Sequence, residues 1–411
     1  MQQSAERFRH ARILMYSHDT FGLGHLRRCR AIAHALVERF KGLHVLIVSG
    51  SSIAGAFEFR TRVDFVKVPS IIKLFNGEYT PLSRHTDLDA TLALRRSIIQ
   101  STAETFEPDL FIVDKEPLGL KGELESTLTL LKTRGTMLVL GLRDVMDSVA
   151  HLEAEWAQAD VLRKMDALYD RVWVYGPQDF HDPLAGLKAS AALKSRLTFT
   201  GFLRREVPAQ PTPLGASLPD DALLVTAGGG GDGIELMRQI IAAHEHDPSL
   251  RWPVVMVLGP FMKAEEREEM RRRAAPLPAL HLIDFDNRIE TLIETAAGVV
   301  SMGGYNTFCE ILSLDKRALI VPRTAPREEQ LIRARRAAAL GLVDMMLPCE
   351  AQDPARLAAA LSRLPRRRKP SETAYGRPLG GLARIGDLVH DYVAARQGPR
   401  LTLLAGGRAE A

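Results

Sequence analysis

Short runs of consecutive apolar residues alternate along the chain with longer segments whose apolar positions recur every three or four residues. Such runs, rich in Val, Ile and Leu and without polar alternation, suit strands covered on both faces of a parallel sheet. In the first half they fall at residues 12–17, 44–49, 63–68, 110–114, 137–142, 171–174 and 197–200. Between the first two, Leu26, Cys29, Ala33, Leu36 and Phe40 are spaced three or four apart, which predicts an amphipathic helix. Strand–helix alternation of this kind predicts a doubly wound α/β domain. Pro208, Pro211 and Pro213 then break both helix and central strand and mark a linker. The alternation restarts at 222–226, 254–258, 281–284, 298–301 and 318–321, and a last amphipathic stretch covers 385–396. The predicted architecture is therefore α/β, with two doubly wound Rossmann-like domains facing a cleft. The N-terminal domain is expected over 1–205, the C-terminal domain over 206–380, a helix over 381–396 and a flexible tail over 397–411.

Composition narrows the picture. Across 411 residues, 46% are hydrophobic and 25% charged, which excludes a disordered or fibrous chain. Cys29, Cys309 and Cys349 lie far apart with no CxxC pair, so neither a disulfide framework nor a structural zinc site is expected. The N-terminal segment lacks the apolar core of a signal peptide, and no run approaches the ~20 apolar residues that cross a bilayer. A cytoplasmic location is expected. Net charge is only +4, but residues 1–100 carry +7 and 351–411 carry +6, against −9 between them. If the two ends meet in space they form a basic surface; if not, they are solvated faces.

Candidate chemistry sits in three glycine-rich turns that follow predicted strands, where open α/β sheets bind ligands. In the first, His18-Asp-Thr-Phe-Gly-Leu-Gly-His-Leu-Arg-Arg, Gly22 and Gly24 permit close backbone approach and His25 opens a helix. Arg27 replaces the third glycine of a dinucleotide fingerprint, and Ser49-Gly50-Ser51 replaces its acidic residue, so NAD binding is disfavoured. An imidazole there suits proton abstraction; the alternative is a histidine that caps a helix. The second turn, Thr226-Ala-Gly-Gly-Gly-Gly-Asp-Gly, exposes backbone N–H groups of Gly228, Gly229, Gly230 and Gly231 at a helix start. That favours a phosphate or diphosphate, and the absence of Lys-Ser/Thr excludes an NTPase P-loop. The third, Ser301-Met-Gly-Gly-Tyr-Asn-Thr-Phe-Cys-Glu, offers Gly303, Gly304, Asn306 and Thr307 to an anion. Glu310 follows one turn on, suited to a vicinal diol or to the helix dipole. Cys309 has no base beside it and reads as packing.

Two weaker signals remain. Asp284-Phe-Asp286 and Asp87-Leu-Asp89 spell D-x-D, but pairs of this kind arise by chance and no metal site is expected. Arg366-Arg-Arg-Lys369 is a basic loop that either meets phosphates or anionic lipid or is simply solvated.

Together the turns resemble those of the GT-B glycosyltransferases, nearest glycosyltransferase family 28. Gly22, Gly24 and His25 match the family's histidine-bearing turn in the N-terminal, acceptor-side domain, with His18 and Arg28 beside it. Gly228–Gly231 match the glycine turn of its donor domain, and Gly304, Thr307 and Glu310 match its G-x-x-T-x-x-E element, whose glutamate holds the nucleotide ribose. Pro322 with Glu329-Gln330 resembles the element that contacts the donor sugar, and Phe285 resembles the residue before the uracil-contacting backbone. The resemblance implies a metal-independent, inverting transfer of a sugar from a UDP-sugar, with no cofactor. The amides of the glycine turns would stabilise the leaving diphosphate while His25 takes the acceptor's proton, with Asp114, Glu116 or Asp144 orienting it or replacing it as base. In this fold the last helix returns to the first domain, which would bring the basic ends together beside the acceptor. An anionic, lipid-linked or glycan acceptor is thus expected, in envelope or exopolysaccharide synthesis, with peripheral contact to an anionic membrane and no nucleic-acid partner. Rival readings on the same scaffold are a nucleotide-sugar hydrolase or epimerase and a non-catalytic sugar-nucleotide or glycan binder.

Overall fold

A computed structural model describes residues 6–7, 10–18, 24–73, 79–82, 87–209, 219, 221–229, 231–250 and 252–397. Seven parallel strands build the first sheet: β1 Arg12–Ser17, β2 His44–Ser49, β3 Val63–Lys67, β4 Leu110–Asp114, β5 Met137–Arg143, β6 Arg171–Tyr175 and β7 Leu197–Phe199. Their order is β7-β6-β5-β4-β1-β2-β3. Six more build the second: β8 Leu223–Thr226, β9 Val254–Val257, β10 Leu280–Ile283, β11 Gly298–Ser301, β12 Ala318–Ile320 and β13 Asp344–Met345. Their order is β10-β9-β8-β11-β12-β13, again all parallel. Each central strand is buried along nearly its whole length, as its unbroken apolar run requires.

The order fixes where chemistry can sit. In the first sheet the chain runs β1, β2, β3 to one side and then returns to β4 on the other, so a crevice opens beyond the carboxyl ends of β1 and β4. The second sheet reverses in the same way between β8 and β11. These are the switch points at which doubly wound sheets bind ligands. His25 and Asp114 lie at one; the described residues of the second and third turns lie at the other. Gly22 and Gly230 lie outside the described residues, as does the tail from 398 on.

The seam between the halves is both apolar and charged. Phe202 packs its ring 5.1 Å from Phe180 and 5.3 Å from Phe308, joining the two cores. Arg333 crosses from helix Glu329–Ala339 to grip Asp144 at 2.6 and 2.7 Å, with both side chains fully buried.

The last helix, Gly381–Gln397, lies on the helix Gly24–Arg39 of the first half, where Arg39 meets Asp387 at 2.8 Å. Ile385, Val389 and Val393 bury the contact. The helix runs away from the cleft: Tyr392 bonds the carbonyl of Asp109 and Arg396 that of Gly135, both just ahead of strands β4 and β5. The expected basic surface beside the acceptor is thereby corrected, because the C-terminal basic residues of this helix stand at the opposite pole of the domain. Many basic side chains of the first hundred residues are also matched internally, Arg95 by Glu123 and Arg60 by Glu38. No described helix is long and apolar enough to cross a membrane.

Candidate active site

The helix Gly24–Arg39 begins directly beyond β1, so its first turn projects into the crevice. There His25 Nδ1 lies 2.6 Å from Asp114 Oδ2 at the end of β4. A contact this short between a ring nitrogen and a carboxylate needs a proton between them, so Nδ1–H donates and Nε2 keeps its lone pair. Arg28 holds Asp114 from beneath, its Nε and Nη2 donating at 3.0 and 2.6 Å to the two oxygens. Burial costs Asp114 its hydration, yet Arg28 and His25 outweigh that and hold its carboxyl well below the usual range. Burial pushes His25 down to about 3 despite Asp114, with Arg28 and His18 adding to the fall. The imidazole is therefore neutral, with a free Nε2, throughout the physiological range.

Several expectations are corrected here. Asp114 is the carboxylate that orients His25. Asp144 is locked by Arg333 and fully buried, so it neither supports His25 nor replaces it. Glu116 is paired with Lys115 at 2.7 Å. Arg28 is buried beneath the turn as a support for Asp114 rather than open to an acceptor. His18 is buried too, its ring edge-on to His25 with centroids 5.5 Å apart and its Nδ1 3.3 Å from the Tyr16 hydroxyl. The D-x-D pairs are otherwise engaged: Asp87 caps a helix, Asp284 pairs with Arg271 and Asp286 caps the Arg288 amide.

The opposite wall is built of backbone. Thr226 and Ser301, ending β8 and β11, each accept through their hydroxyls from the amide two residues on, Gly228 and Gly303. These matched turns swing the chain into helices Ile234–His246 and Tyr305–Ser313, neither of which has a side-chain cap. Their first-turn N–H groups are thus free for an anion, and the dipoles add to the attraction. Gly228 and Gly303 adopt φ of 66° and 75°, and a Cβ at Gly303 would stand 2.7 Å from Ile320 Cγ2. Glycine is required there by conformation and by space.

Both walls share one cavity of about 230 Å³. Gly24, Arg27, Arg28 and Arg143 line it from the first half, and Gly228, Gly229, Gly231, Phe285, Gly303 and Thr307 from the second. Gly304, Asn306, Glu310, Glu329 and Gln330 line it as well. His25 stands just outside this lining, with its side chain 14% exposed. Asn306 is drawn into the seam, donating to the Gly24 carbonyl and accepting from Arg205. Glu310 is buried, with Oε1 2.6 Å from Arg27 Nη2 and Oε2 without a protein hydrogen-bond partner. Burial and the neighbouring Glu290 raise its pKa, while Arg27 opposes the shift. Arg27 also pairs with Glu290 at 2.6 Å. Arg323 holds Glu329 at 2.7 Å, and its amide donates to Gln330. Cys309 is buried as packing, its thiol pushed up to about 11 by burial.

Sequence reasoning missed Arg27, Arg143, Arg205, Arg323 and Arg333. Arg27 carried one signal, since it occupies the position where a dinucleotide fingerprint has glycine. Arg205 and Arg333 make their bonds across the seam, and Arg143 and Arg323 line the cavity from opposite halves, which no local pattern records.

Residues 222–376 match the family described as the glycosyltransferase family 28 C-terminal domain. The whole chain is similar to solved structures of the calicheamicin glycosyltransferase CalG4 (18% identity, TM-score 0.58, covering 95% of this chain and 100% of that one). It is similar also to MurG of Acinetobacter baumannii (13%, 0.58, 93% and 99%). A third likeness is to Phytolacca americana UGT2, solved with UDP-2-fluoroglucose and pterostilbene (13%, 0.58, 93% and 100%). At these identities the likeness is one of fold. No curated protein sequence matches the chain. The chain as a whole thus has the GT-B fold of these glycosyltransferases, and its C-terminal half matches the family 28 C-terminal domain.

Proposed function

We propose that the protein moves a sugar from a UDP-sugar to a hydroxyl acceptor with inversion at the anomeric carbon. Cleaving the bond from sugar to diphosphate builds positive charge on the anomeric carbon and negative charge on the leaving oxygens. The backbone amides at Gly229 and Gly231 and at the start of Tyr305–Ser313 would meet that negative charge without having to reorganise. Glu310, which lines the cavity and whose Oε2 has no hydrogen-bond partner among the described residues, would accept a ribose hydroxyl, and Phe285 would border the base. Glu329 and Gln330 would contact the sugar. His25 Nε2 would take the acceptor's proton while Asp114 stabilises the imidazolium that forms, and attack would come from the face opposite the diphosphate.

The observation that carries this reading is the 2.6 Å His25–Asp114 contact, at the lip of a cavity walled by two uncapped helix starts. A glycan or lipid-linked hydroxyl acceptor in envelope or exopolysaccharide synthesis remains our reading of the pathway, supported by the resemblance rather than by a basic surface at the cleft. A thermal-shift screen of UDP-, GDP-, CMP- and dTDP-sugars, repeated on Glu310→Ala, tests it. A UDP-specific shift lost in the variant supports the reading; a shift with another base, or one that survives the substitution, overturns the assignment of donor or site. Donor loss without any acceptor, as fast as with one, would identify a hydrolase instead.

A further inference from the structure

Four arginines line the cavity, and three are neutralised in place. Arg27 meets Glu290 and Glu310, Arg28 meets Asp114, and Arg323 meets Asp232 and Glu329. The fourth, Arg143, is not. It ends β5 of the first half and lines the cavity from the side opposite the glycine turns. Among the described residues no carboxylate oxygen lies within 4.0 Å of it, and its buried Nε has no hydrogen-bond partner. The next residue in the chain, Asp144, is committed to Arg333. Glu329, from the second half, is the carboxylate that most favours the Arg143 charge, but it makes no contact with it within 4.0 Å and lies 2.7 Å from Arg323 instead. Burial pushes the Arg143 guanidinium down to about 10; Glu329 and Asp144 oppose the fall, and Arg28 and Arg333 add to it.

A largely desolvated cation with no carboxylate in contact is costly, and leaving such a charge unpaired destabilises a fold. Such a group makes physical sense where an anion completes the site. The cavity it enters is walled by amides that also await an anion, and Arg143 reaches it from the other lobe. We infer that Arg143 is the cation with which the amino-side lobe grips the donor's diphosphate, so that leaving-group stabilisation is assembled from both lobes. Its planar fork suits two phosphate oxygens at once. This inference rests on the nucleotide-sugar reading above. The step balances with the acceptor hydroxyl: its oxygen bonds the anomeric carbon and its proton passes to His25 Nε2, while the bond from that carbon to the diphosphate oxygen breaks, the electron pair stays on that oxygen, and Arg143 offsets the charge left there.

The test compares Arg143→Met and Arg143→Lys with the unsubstituted chain, using UDP, phosphate-free uridine, UDP-glucose and UDP-glucuronate as probes. Arg143→Met is expected to weaken UDP binding about tenfold and leave uridine binding unchanged. Donor turnover in that variant should fall about 100-fold, with Arg143→Lys recovering most of both losses. Without ligand, Arg143→Met should melt at the same temperature or higher, because an unpaired buried charge has gone. A structural role predicts the reverse, a lower melting temperature with uridine and UDP affected alike, and that result overturns the inference. It is equally overturned if Arg143→Met leaves UDP binding and turnover within twofold, or if the loss appears with UDP-glucuronate alone, which would assign Arg143 to a sugar carboxylate. If the unsubstituted chain binds no nucleoside diphosphate at all, the nucleotide-sugar reading fails with it, whereas normal UDP binding with an indifferent Arg143→Met sinks this inference alone.

Discussion

On the amino-side lobe, the buried carboxylates are matched side chain to side chain: Asp114 by Arg28 and His25, and Asp144 by Arg333 of the other lobe. On the carboxyl-side lobe the wall of the cavity is largely backbone, with two glycine turns and two helices that have no side-chain caps. The difference teaches what each lobe is suited to do. Paired side chains fix one ring in one tautomer, which proton transfer requires. Free amides accept a delocalised anion without committing a charge when the site is empty. The lobe that moves a proton is thus stiffened by ion pairs, and the lobe that receives a diphosphate keeps its donors open.

The largest effect should come from the dyad. His25→Ala is expected to lower turnover by roughly 10²–10⁴-fold while donor affinity stays within twofold. Steady-state kinetics beside calorimetric donor titration would separate the two, and equal losses in both would place His25 in the donor site instead. Next comes the seam. Asp144→Ala leaves Arg333 buried and unpaired, and should cost about 3–5 kcal/mol in urea unfolding. A loss below 1 kcal/mol would mean that water reaches Arg333. Gly303→Ala acts on the other lobe: it forces φ of 75° on a residue with a Cβ that meets Ile320. About 1–3 kcal/mol of stability should go, with weaker donor binding, and unchanged binding would show that this turn does not shape the anion seat.

A further effect is in pH. His25 titrates at about 3 in the fold against 6.5 when unperturbed, so between those values the unfolded chain binds the extra proton. Stability therefore rises with pH through this window and is lost as pH falls from 6.5 towards 3. Asp114, held below its ordinary value, acts in the same direction further into acid. In kinetics, kcat/KM should show no acid limb near pH 6.5, and a limb there would mean that the imidazole is solvated in the working enzyme.

The same contrast governs how much was legible beforehand. Strands buried on both faces announce themselves as unbroken apolar runs, so twelve of the thirteen sheet strands fell within a residue or so of their expected bounds. The edge strand Asp344–Met345 and the short hairpin of Ile71–Lys73 with Tyr79–Pro81 gave no signal, because two or three residues carry no period. The backbone wall was readable because a glycine turn between strand and helix is local. The side-chain wall was readable only in part. His25 stood out by its place in a turn, but the choice among Asp114, Glu116 and Asp144 depends on sheet order and on Arg333, which lies 189 positions from Asp144. Arg143 left no trace in sequence because its distinction is a missing partner.

Calorimetric titration of UDP into His25→Ala and Glu310→Ala, with transfer measured on the same preparations, probes the division between the lobes most directly. His25→Ala should bind UDP as the unsubstituted chain does and transfer almost nothing, while Glu310→Ala should lose binding by at least tenfold. UDP affinity that collapses in His25→Ala and persists in Glu310→Ala would contradict it.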